Sequence, residues 1–504
     1  MIRIALLILW LGMVGWLIRY EAYPEYFTHK LAGYKSIISQ DVLLVDSWMR
    51  ILVDDSPVGY SYTQMEVEKS DPVNHYKINN SLSFSINLSG LNQRISIKTS
   101  SVLNVAYQLQ KFYFSIKSSG YSLYIRGKKI EGEIFEITTS TDNTEQKTKV
   151  KIPEDVVIYS PMTEMAMKEL KPGQEFSILT FDPVTLSKTT MTFTGEKKET
   201  ILINNKEYDT TLVSIYMKGI SSKVWIDSDS GQPVRQTTPF GWTLEKSNSE
   251  EALASIRNTK SQDNLLKTIA VKPSGLNVDP DAKLIRVKLS KADLKDLKFI
   301  SDRQQIVKVD KLETILLVAN GNSDYFFADK SIIDKDLDKF LKASSAIQSD
   351  NPKIIKTAKK IMSKINDLPG NQKSDKDKAR VIFDWVHMNV KKEIVVSFPS
   401  ALDVLHTMKG DCNEHTYLFV ALARAAKIPA RVVTGLVYTK GRFYYHAWPS
   451  VYIDGQWLEM DPTWGQINVD ASHIAVVNGE IADQFQLLRL MGQLNIEILE
   501  VIND

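Results

Sequence analysis

Cysteine is nearly absent from the sequence, which contains one, Cys412, among 504 residues. No intrachain disulfide can form, so cross-links cannot stabilise the fold. A lone cysteine either packs as a small apolar side chain or does chemistry. An excess of one charge is also absent, because 62 Lys and Arg balance 60 Asp and Glu. A polyanionic partner is therefore not indicated, and we expect no nucleic-acid binding.

Long hydrophobic runs are absent except at the N-terminus, where one extends from Ile4 to Ile18. It is shorter than the ~20 residues of an ordinary membrane span, and no A-x-A-like cleavage site follows it. We therefore predict an uncleaved signal anchor or transmembrane helix over residues 1-22. This predicts a single-pass protein of the cell inner membrane, with the bulk of the chain on the periplasmic or extracellular side. A cleaved signal peptide is the alternative.

The length predicts several domains, because single cores stop growing near ~250 residues. From Trp48 to Leu244 the hydrophobic pattern has a period of two, which is typical of an antiparallel sheet. Helical periodicity dominates later, with starts at Asn351-Pro352 and at Ser374. We predict an α+β fold made of the membrane helix, a β-rich domain over 40-250, a connecting α/β subdomain over 251-345 and a C-terminal domain over 346-504.

Cys412 lies at the start of a predicted helix. The sequence Gly410-Asp411-Cys412 precedes an apolar pattern of helical spacing that ends at Lys427-Ile428-Pro429. Exposed N–H groups and the positive end of the helix dipole stabilise a thiolate, so we expect a lowered pKa for Cys412. The same N–H groups can hold a developing oxyanion, and we assign only the backbone N–H of Cys412 to that role.

Two strand patterns joined by Asp454-Gly455 follow, and this dipeptide is a strong hairpin signal. With these two residues as the loop, Trp448 lies opposite Asp461. His446 and Asp461 then become diagonal neighbours, roughly 7–8 Å apart at the backbone, unless Pro449 shifts the register. Cys412, His446 and Asp461 in this order have the form of a triad of nucleophile, base and orienting carboxylate.

Five blocks in this region together resemble the core of the transglutaminase-like superfamily. They are Ala401-x-x-Val404-Leu405, Gly410-Asp411-Cys412, Ala423-Arg424-x-x-x-Ile428-Pro429-Ala430-Arg431-x-x-x-Gly435, His446-Ala447-Trp448 and Trp457-x-x-x-Asp461-Pro462-Thr463. The resemblance covers roughly residues 375 to 480. It implies a papain-like core, in which a helix carrying Cys412 packs on an antiparallel sheet carrying His446 and Asp461, and in which these three residues are the triad.

The resemblance predicts a membrane-anchored, extracytoplasmic thiol enzyme that cleaves or transfers acyl groups at amide or peptide bonds through a Cys-linked thioester. Such an enzyme is a cysteine peptidase or amidase if water resolves the thioester, and an acyltransferase if an amine does. We expect a protein or peptide substrate. Cofactors are not expected, calcium included, because no acidic calcium-binding loop is present.

Several alternatives stay open at this stage. The fold could serve as a non-catalytic scaffold for binding or assembly, or the protein could be a cross-linking transglutaminase. Cys412, His415, His446 and Asp461 could instead bind zinc. Glu459 and Asp411 are the nearest substitute carboxylates. The tryptophans Trp448, Trp457 and Trp464 could pack the hairpin or wall a cleft, whereas no role is assigned to His387, His406 or His473.

Overall fold

The structure is a computed structural model. It describes Met13 and residues 29–38, 45–70, 73–88, 91–238, 241–257, 270–294, 297–310, 313–325, 327, 336–367, 374–394, 397–398 and 400–503. The chain is rich in strands, which hold 50% of the residues, whereas helices hold 19%.

The predicted fold class, an α+β chain that begins with a membrane helix, is wrong. One large sheet forms most of the chain, not an N-terminal helix. In the part of the chain that the structure describes, no helix is both long enough and apolar enough to cross a membrane. The predicted span, residues 1-22, lies outside the described residues except for Met13. The predictions of a membrane partner and of a single-pass inner-membrane location, with the bulk on the periplasmic side, are therefore corrected.

The large sheet contains the first sixteen strands among the described residues, in the order β1-β11-β12-β13-β14-β15-β16-β2-β3-β4-β5-β6-β7-β8-β9, with β10 paired to β11. Their bounds are His29–Leu31 (β1), Val45–Val53 (β2), Ser56–Ser70 (β3), Val73–Leu88 (β4), Leu91–Leu103 (β5), Leu109–Ser118 (β6), Tyr121–Glu131 (β7), Ile134–Thr141 (β8), Glu145–Lys151 (β9), Val156–Val157 (β10), Glu175–Asp182 (β11), Ser187–Ile203 (β12), Lys206–Met217 (β13), Ile220–Asp227 (β14), Pro233–Thr237 (β15) and Trp242–Ser247 (β16).

Apolar and polar side chains alternate along these strands, and the apolar ones form the core of the large sheet. In β7, Leu123 and Ile125 are buried, whereas Arg126 and Lys128 are exposed. Aromatic rings also join strands that are far apart in the order of the sheet. Phe112 on β6 contacts Phe181 on β11, with 5.9 Å between the ring centroids. The period-two pattern over Trp48 to Leu244 therefore marks a real sheet with one apolar face.

A smaller, five-stranded sheet follows, in the order β17-β27-β18-β20-β19. Its strands are Ser274–Gly275 (β17), Leu284–Ser290 (β18), Gln304–Val309 (β19), Glu313–Ala319 (β20) and Asn495–Ile502 (β27). The strand β27 lies between β17 and β18, although its sequence position is far from both. The predicted domain boundaries stay a prediction.

The α-helices in the part of the chain that the structure describes are Met162–Met165 (α1), Ser249–Arg257 (α2), Pro352–Ser363 (α3), Asp375–Asn389 (α4), Ala401–Thr407 (α5), Cys412–Ala425 (α6) and Ile481–Gln484 (α7). The two predicted helix starts are confirmed. Asn351 caps α3 with Pro352 in the first turn, and Ser374 forms a capping box with Asp377 at the start of α4.

The helix α6 packs against a four-stranded antiparallel sheet in the order β25-β24-β23-β26. Its strands are Ala430–Thr439 (β23), Arg442–Ile453 (β24), Gln456–Glu459 (β25) and Ile474–Asn478 (β26). A short parallel pair, Lys391–Lys392 (β21) and Lys409–Gly410 (β22), lies beside the N-terminus of α6. Nearly every side chain of α6 beyond Asn413 is buried, which fixes this helix firmly on the sheet.

The large sheet contacts the segment that precedes α5, and α5 itself. The Tyr121 hydroxyl donates to the carbonyl oxygen of Phe398 at 3.1 Å, and the Thr141 hydroxyl donates to the Asp403 carboxylate at 2.7 Å. The Phe398 ring packs against the apolar core of the large sheet. The large sheet therefore positions one wall of the region around Cys412.

Candidate active site

Cys412 is the first residue of α6, as the sequence predicts. The preceding Asp411 caps the helix by accepting from the backbone N–H of Asn413 at 3.1 Å. Glu414 completes a capping box by accepting from the backbone N–H of Asp411 at 3.0 Å. The cap fixes where the helix begins and so fixes the position of the thiol, in a residue that is partly exposed.

The pKa of Cys412 differs from the prediction. Burial of the sulfur raises the pKa of the Cys412 thiol well above its usual range, and the neighbouring Asp411 carboxylate adds to the rise. A hydrogen bond from the backbone N–H of Ala447 works in the opposite direction but is outweighed. The expected lowering by the helix dipole is therefore wrong for the resting state, in which the thiol keeps its proton.

The hairpin has the predicted register. Ser450 pairs with Glu459 and Tyr452 pairs with Trp457. The same register continues past the end of β25, where the backbone N–H of Met460 donates to the carbonyl oxygen of Pro449 at 3.0 Å. Pro449 therefore does not shift the pairing, and Asp461 comes to lie beside His446.

His446 and Asp461 form a buried hydrogen-bonded pair. The distance from His446 Nε2 to Asp461 Oδ2 is 2.8 Å. The other carboxylate oxygen accepts from the backbone N–H groups of Thr463 and Trp464, at 2.8 and 3.1 Å. Burial disfavours the charge on Asp461, but the two histidines that it contacts outweigh burial and hold the pKa of Asp461 below its usual range.

The second of those histidines, His473, was assigned no role in the sequence. Its Nε2 lies 3.3 Å from Asp461 Oδ2, and its Nδ1 lies 3.0 Å from Asp470 Oδ1. His473 is fully buried immediately before β26. It comes next to the hairpin because β26 pairs with β23, a long-range contact that no local spacing reveals.

Glu459, a substitute carboxylate, is occupied elsewhere. Its carboxylate accepts from Arg303 Nη2 at 2.8 Å and from Trp448 Nε1 at 2.9 Å, and it also accepts from the Ser301 hydroxyl. Burial opposes its charge, yet Arg303 and the hydrogen bonds lower the pKa of Glu459. Glu459 therefore ties the hairpin to the segment before β19.

The four residues of the alternative zinc site do not converge. The ring nitrogens of His415 face the carbonyl oxygens of Asp411 and Val390, at 2.6 and 3.2 Å. Among the described residues, the side chains close enough to share an ion are His446, Asp461 and His473. Their facing atoms are already hydrogen-bonded to one another, so we interpret this group as a proton network.

Aromatic rings enclose His446 on two sides. Trp448 stacks at 5.9 Å between centroids, and Trp464 lies at 5.2 Å. Trp448 is fully buried, while Trp457 lies under the Arg431 guanidinium at 4.0 Å. The structure therefore places Trp448 and Trp457 in the packing of the hairpin.

A cavity of ≈ 260 Å³ opens beside the thiol. Cys412 and His446 both line it, together with Phe398 from the loop that contacts the large sheet. Apolar side chains of α7 and of the segment after it also line the cavity, namely Ile481, Leu487, Leu488 and Met491. The thiol and the imidazole thus face one cleft with an apolar wall.

Residues 363–462 match the model of the transglutaminase-like superfamily. The match contains Cys412, His446 and Asp461, and it confirms the resemblance for the C-terminal part of the chain.

Two curated relatives match a similar length of chain, and both are kyphoscoliosis peptidases. The one from Mus musculus is 28% identical over 124 residues, and the one from Homo sapiens is 29% identical over 122 residues. Each match covers 21% of this chain and 18% of the relative. The chain thus spans less than a fifth of the length of these relatives.

Two solved structures have low overall similarity. A candidate cysteine protease from Cytophaga hutchinsonii is 20% identical, with a TM-score of 0.28, over 45% of this chain and 82% of that one. A β-barrel-like protein with a domain of unknown function, from Brucella abortus, is 11% identical, with a TM-score of 0.30, over 41% of this chain and 97% of that one.

Proposed function

We propose that the transglutaminase-like core of this chain is a thiol enzyme that cleaves or transfers acyl groups at amide or peptide bonds. Cys412 is the nucleophile, His446 the base and Asp461 the orienting carboxylate. The observation that carries the proposal is the 2.8 Å hydrogen bond between His446 Nε2 and Asp461 Oδ2, at a cleft that Cys412 and His446 both line. The bond leaves the other ring nitrogen of His446, Nδ1, for the thiol.

The resting thiol is neutral, so the proton must move during the reaction. As the Cys412 sulfur attacks the substrate carbonyl carbon, His446 takes the thiol proton and becomes an imidazolium that Asp461 stabilises. The carbonyl oxygen becomes an oxyanion beside the backbone N–H of Cys412. His446 then gives its proton to the leaving amine, the C–N bond breaks, and the acyl group stays on Cys412 as a thioester.

The group that attacks the thioester in the second half of the reaction determines the product. Water attacking the thioester gives a carboxylic acid and restores the thiol, which is peptidase or amidase activity. An amine attacking it gives a new amide, which is acyl transfer or cross-linking. We propose hydrolysis as the main outcome, because water needs no dedicated binding site.

The aliphatic wall of the cleft supports a peptide substrate with an apolar side chain near the reacting carbonyl. Burying a leucine-sized side chain there contributes ~1.5–3 kcal/mol, or roughly ten- to a hundredfold in affinity. An iodoacetylated peptide with leucine next to the reactive group should therefore inactivate Cys412 faster than its glutamate counterpart. Leu488→Asp should remove that preference, and equal rates for both peptides in the native protein would contradict it.

The single cysteine makes the central test clean, because any thiol label must be on Cys412. We expect iodoacetamide near neutral pH to label the native protein faster than the His446→Ala variant, since only the native protein has a base for the thiol proton. His406→Ala is the matched control, because His406 is exposed on α5. Mass spectrometry measures the rates. Equal labelling of the native protein and His446→Ala would favour a non-catalytic scaffold.

A further inference from the structure

Four alternating acids and bases form a continuous buried chain behind the thiol. Asp470 contacts His473 at 3.0 Å, His473 contacts Asp461 at 3.3 Å, and Asp461 contacts His446 at 2.8 Å. The proposed triad uses only the last of these contacts. His473 and Asp470 therefore have no role in the proposed triad, although both form hydrogen bonds of similar length to those of the triad residues.

The hydrogen bonds define the protonation state of His473. Both of its ring nitrogens face carboxylate oxygens, which can only accept, so both nitrogens must carry protons. Burial alone would favour the neutral ring, but the bonds to Asp461 and Asp470 outweigh it and raise the pKa of His473. His473 is therefore an imidazolium between two carboxylates.

Hydrogen bonds to both carboxylate oxygens of Asp470 stabilise its ionised form. Its Oδ1 accepts from the backbone N–H and the hydroxyl of Ser472, at 2.8 and 2.6 Å, and its Oδ2 accepts from Gln466 Nε2 at 2.8 Å. Burial opposes the charge, but these bonds and His473 lower the pKa of Asp470. The Asp470 carboxylate is thus fixed in position before any substrate binds.

We propose that Asp470 and His473 are positioning residues that set the orientation and the effective charge of the Asp461–His446 pair. This inference rests on the proposed function, because it assigns these residues to the same reaction. His473 donates to the oxygen of Asp461 that also binds His446, and so fixes its direction. The positive charge of His473 partly neutralises Asp461 and disfavours a second positive charge on His446.

The charged groups that surround His473 determine whether its removal favours or disfavours a proton on His446. Asp461 and Asp470 contact it directly, and the His446 ring centroid lies 6.0 Å away. Arg303 approaches through the carbonyl oxygen of His473, but its own charge is paired with Glu459. Removing the charge of His473 therefore leaves Asp461 acting undiminished on His446, and the midpoint of the pH dependence of Cys412 labelling should rise in that variant.

The test replaces His473 by glutamine, whose amide can still donate to Asp461 but carries no charge. If His446 must be neutral to accept the thiol proton, the midpoint of the pH dependence of Cys412 labelling responds to the charges that face His446. Two unit charges ~6 Å apart at an effective dielectric constant of ~20 predict a rise of about two pH units. A merely structural loss would lower the rate at every pH without moving the midpoint.

The double variant His473→Gln/Asp470→Asn is the matched control for folding. The amide that replaces the Asp470 carboxylate in this variant can donate to the new glutamine oxygen, so thermal stability should recover. A smaller rise of the midpoint should remain, because the more distant negative charge of Asp470 is lost as well. An unchanged midpoint in His473→Gln would overturn the inference. If His446→Ala also failed to slow labelling, the proposed function would fail with it. If His446→Ala slowed labelling and His473→Gln left the midpoint unmoved, only the positioning role would fail.

Discussion

The buried ion pair between Arg303 and Glu459 offers the sharpest test of what holds the site together. Arg303 precedes β19 of the five-stranded sheet, whereas Glu459 ends β25 of the hairpin. Their side chains are almost fully buried, and Nη2 lies 2.8 Å from Oε2. The perturbation is Arg303→Met, which keeps most of the side-chain length but removes the charge and its hydrogen bonds.

The structure predicts that Arg303→Met lowers the free energy of unfolding more than Glu459→Gln does. Without Arg303, the Glu459 carboxylate keeps its bonds from Trp448 and Ser301 but has no opposite charge. An uncompensated buried charge of this kind costs ~3–5 kcal/mol. Glu459→Gln should cost less, because Arg303 keeps the carbonyl oxygens of Ala319 and His473 as acceptors. The double variant should lose less than the sum of the two single losses.

The measurement is hydrogen exchange of the β24 peptide in a urea series, which reports the free energy of opening of this sheet rather than of the whole chain. Glu313→Gln is the matched control, because its ion pair with Lys308 lies on the surface and should contribute little. The same loss in Arg303→Met and in this control would refute the reasoning. Because the pKa of Glu459 is lowered by folding, the stabilisation should be present above pH ~4.3 and fade as the pH falls further.

Three further predictions concern the site and the sheet beneath it. His446→Ala should reduce acyl transfer more than Asp461→Asn, because the first removes the base and the second removes only its orientation and charge support; equal activity of Asp461→Asn and the native protein would point to another carboxylate. Asp411→Asn should keep the helix cap but lower the pKa of Cys412, so iodoacetamide labelling at neutral pH should accelerate, and a slower rate would contradict the stated cause of the raised pKa. Gly435→Ala should lower the melting temperature strongly, because its Cβ would lie 2.0 Å from a backbone carbonyl oxygen of β26; calorimetry that found no change would exclude this close approach.

The local part of the site was predictable, because its geometry is set by a short loop. Asp454 and Gly455 both adopt positive φ angles, 52° and 85°, as a two-residue hairpin loop requires. That loop fixes the register, and the register brings Asp461 to His446. The helix start at Cys412 was equally readable from Gly410 and the apolar pattern that follows. Each of these features depends on residues close in sequence.

The remaining features depend on contacts between distant segments. His473 reaches Asp461 only because β26 pairs with β23, and Arg303 reaches Glu459 across more than a hundred positions of the chain. The pKa of Cys412 was predicted in the wrong direction, because the effect of the helix dipole can be inferred from local sequence, whereas burial of the sulfur, the largest cause of the rise, depends on packing. The membrane helix was predicted from a hydrophobic run and the missing cleavage site after it, and this segment lies outside the described residues except for Met13.

The placement of β27 constrains the order in which the chain can finish folding during synthesis. This strand lies inside the five-stranded sheet, between β17 and β18, yet the ribosome makes it about two hundred residues after β18. Until residues 495–502 emerge, β17 has no partner among the described strands of this sheet and β18 exposes an open edge, which invites pairing with other nascent chains. The five-stranded sheet, which β19 and the adjoining Arg303 belong to, is therefore completed only after the hairpin that Arg303 braces has been made.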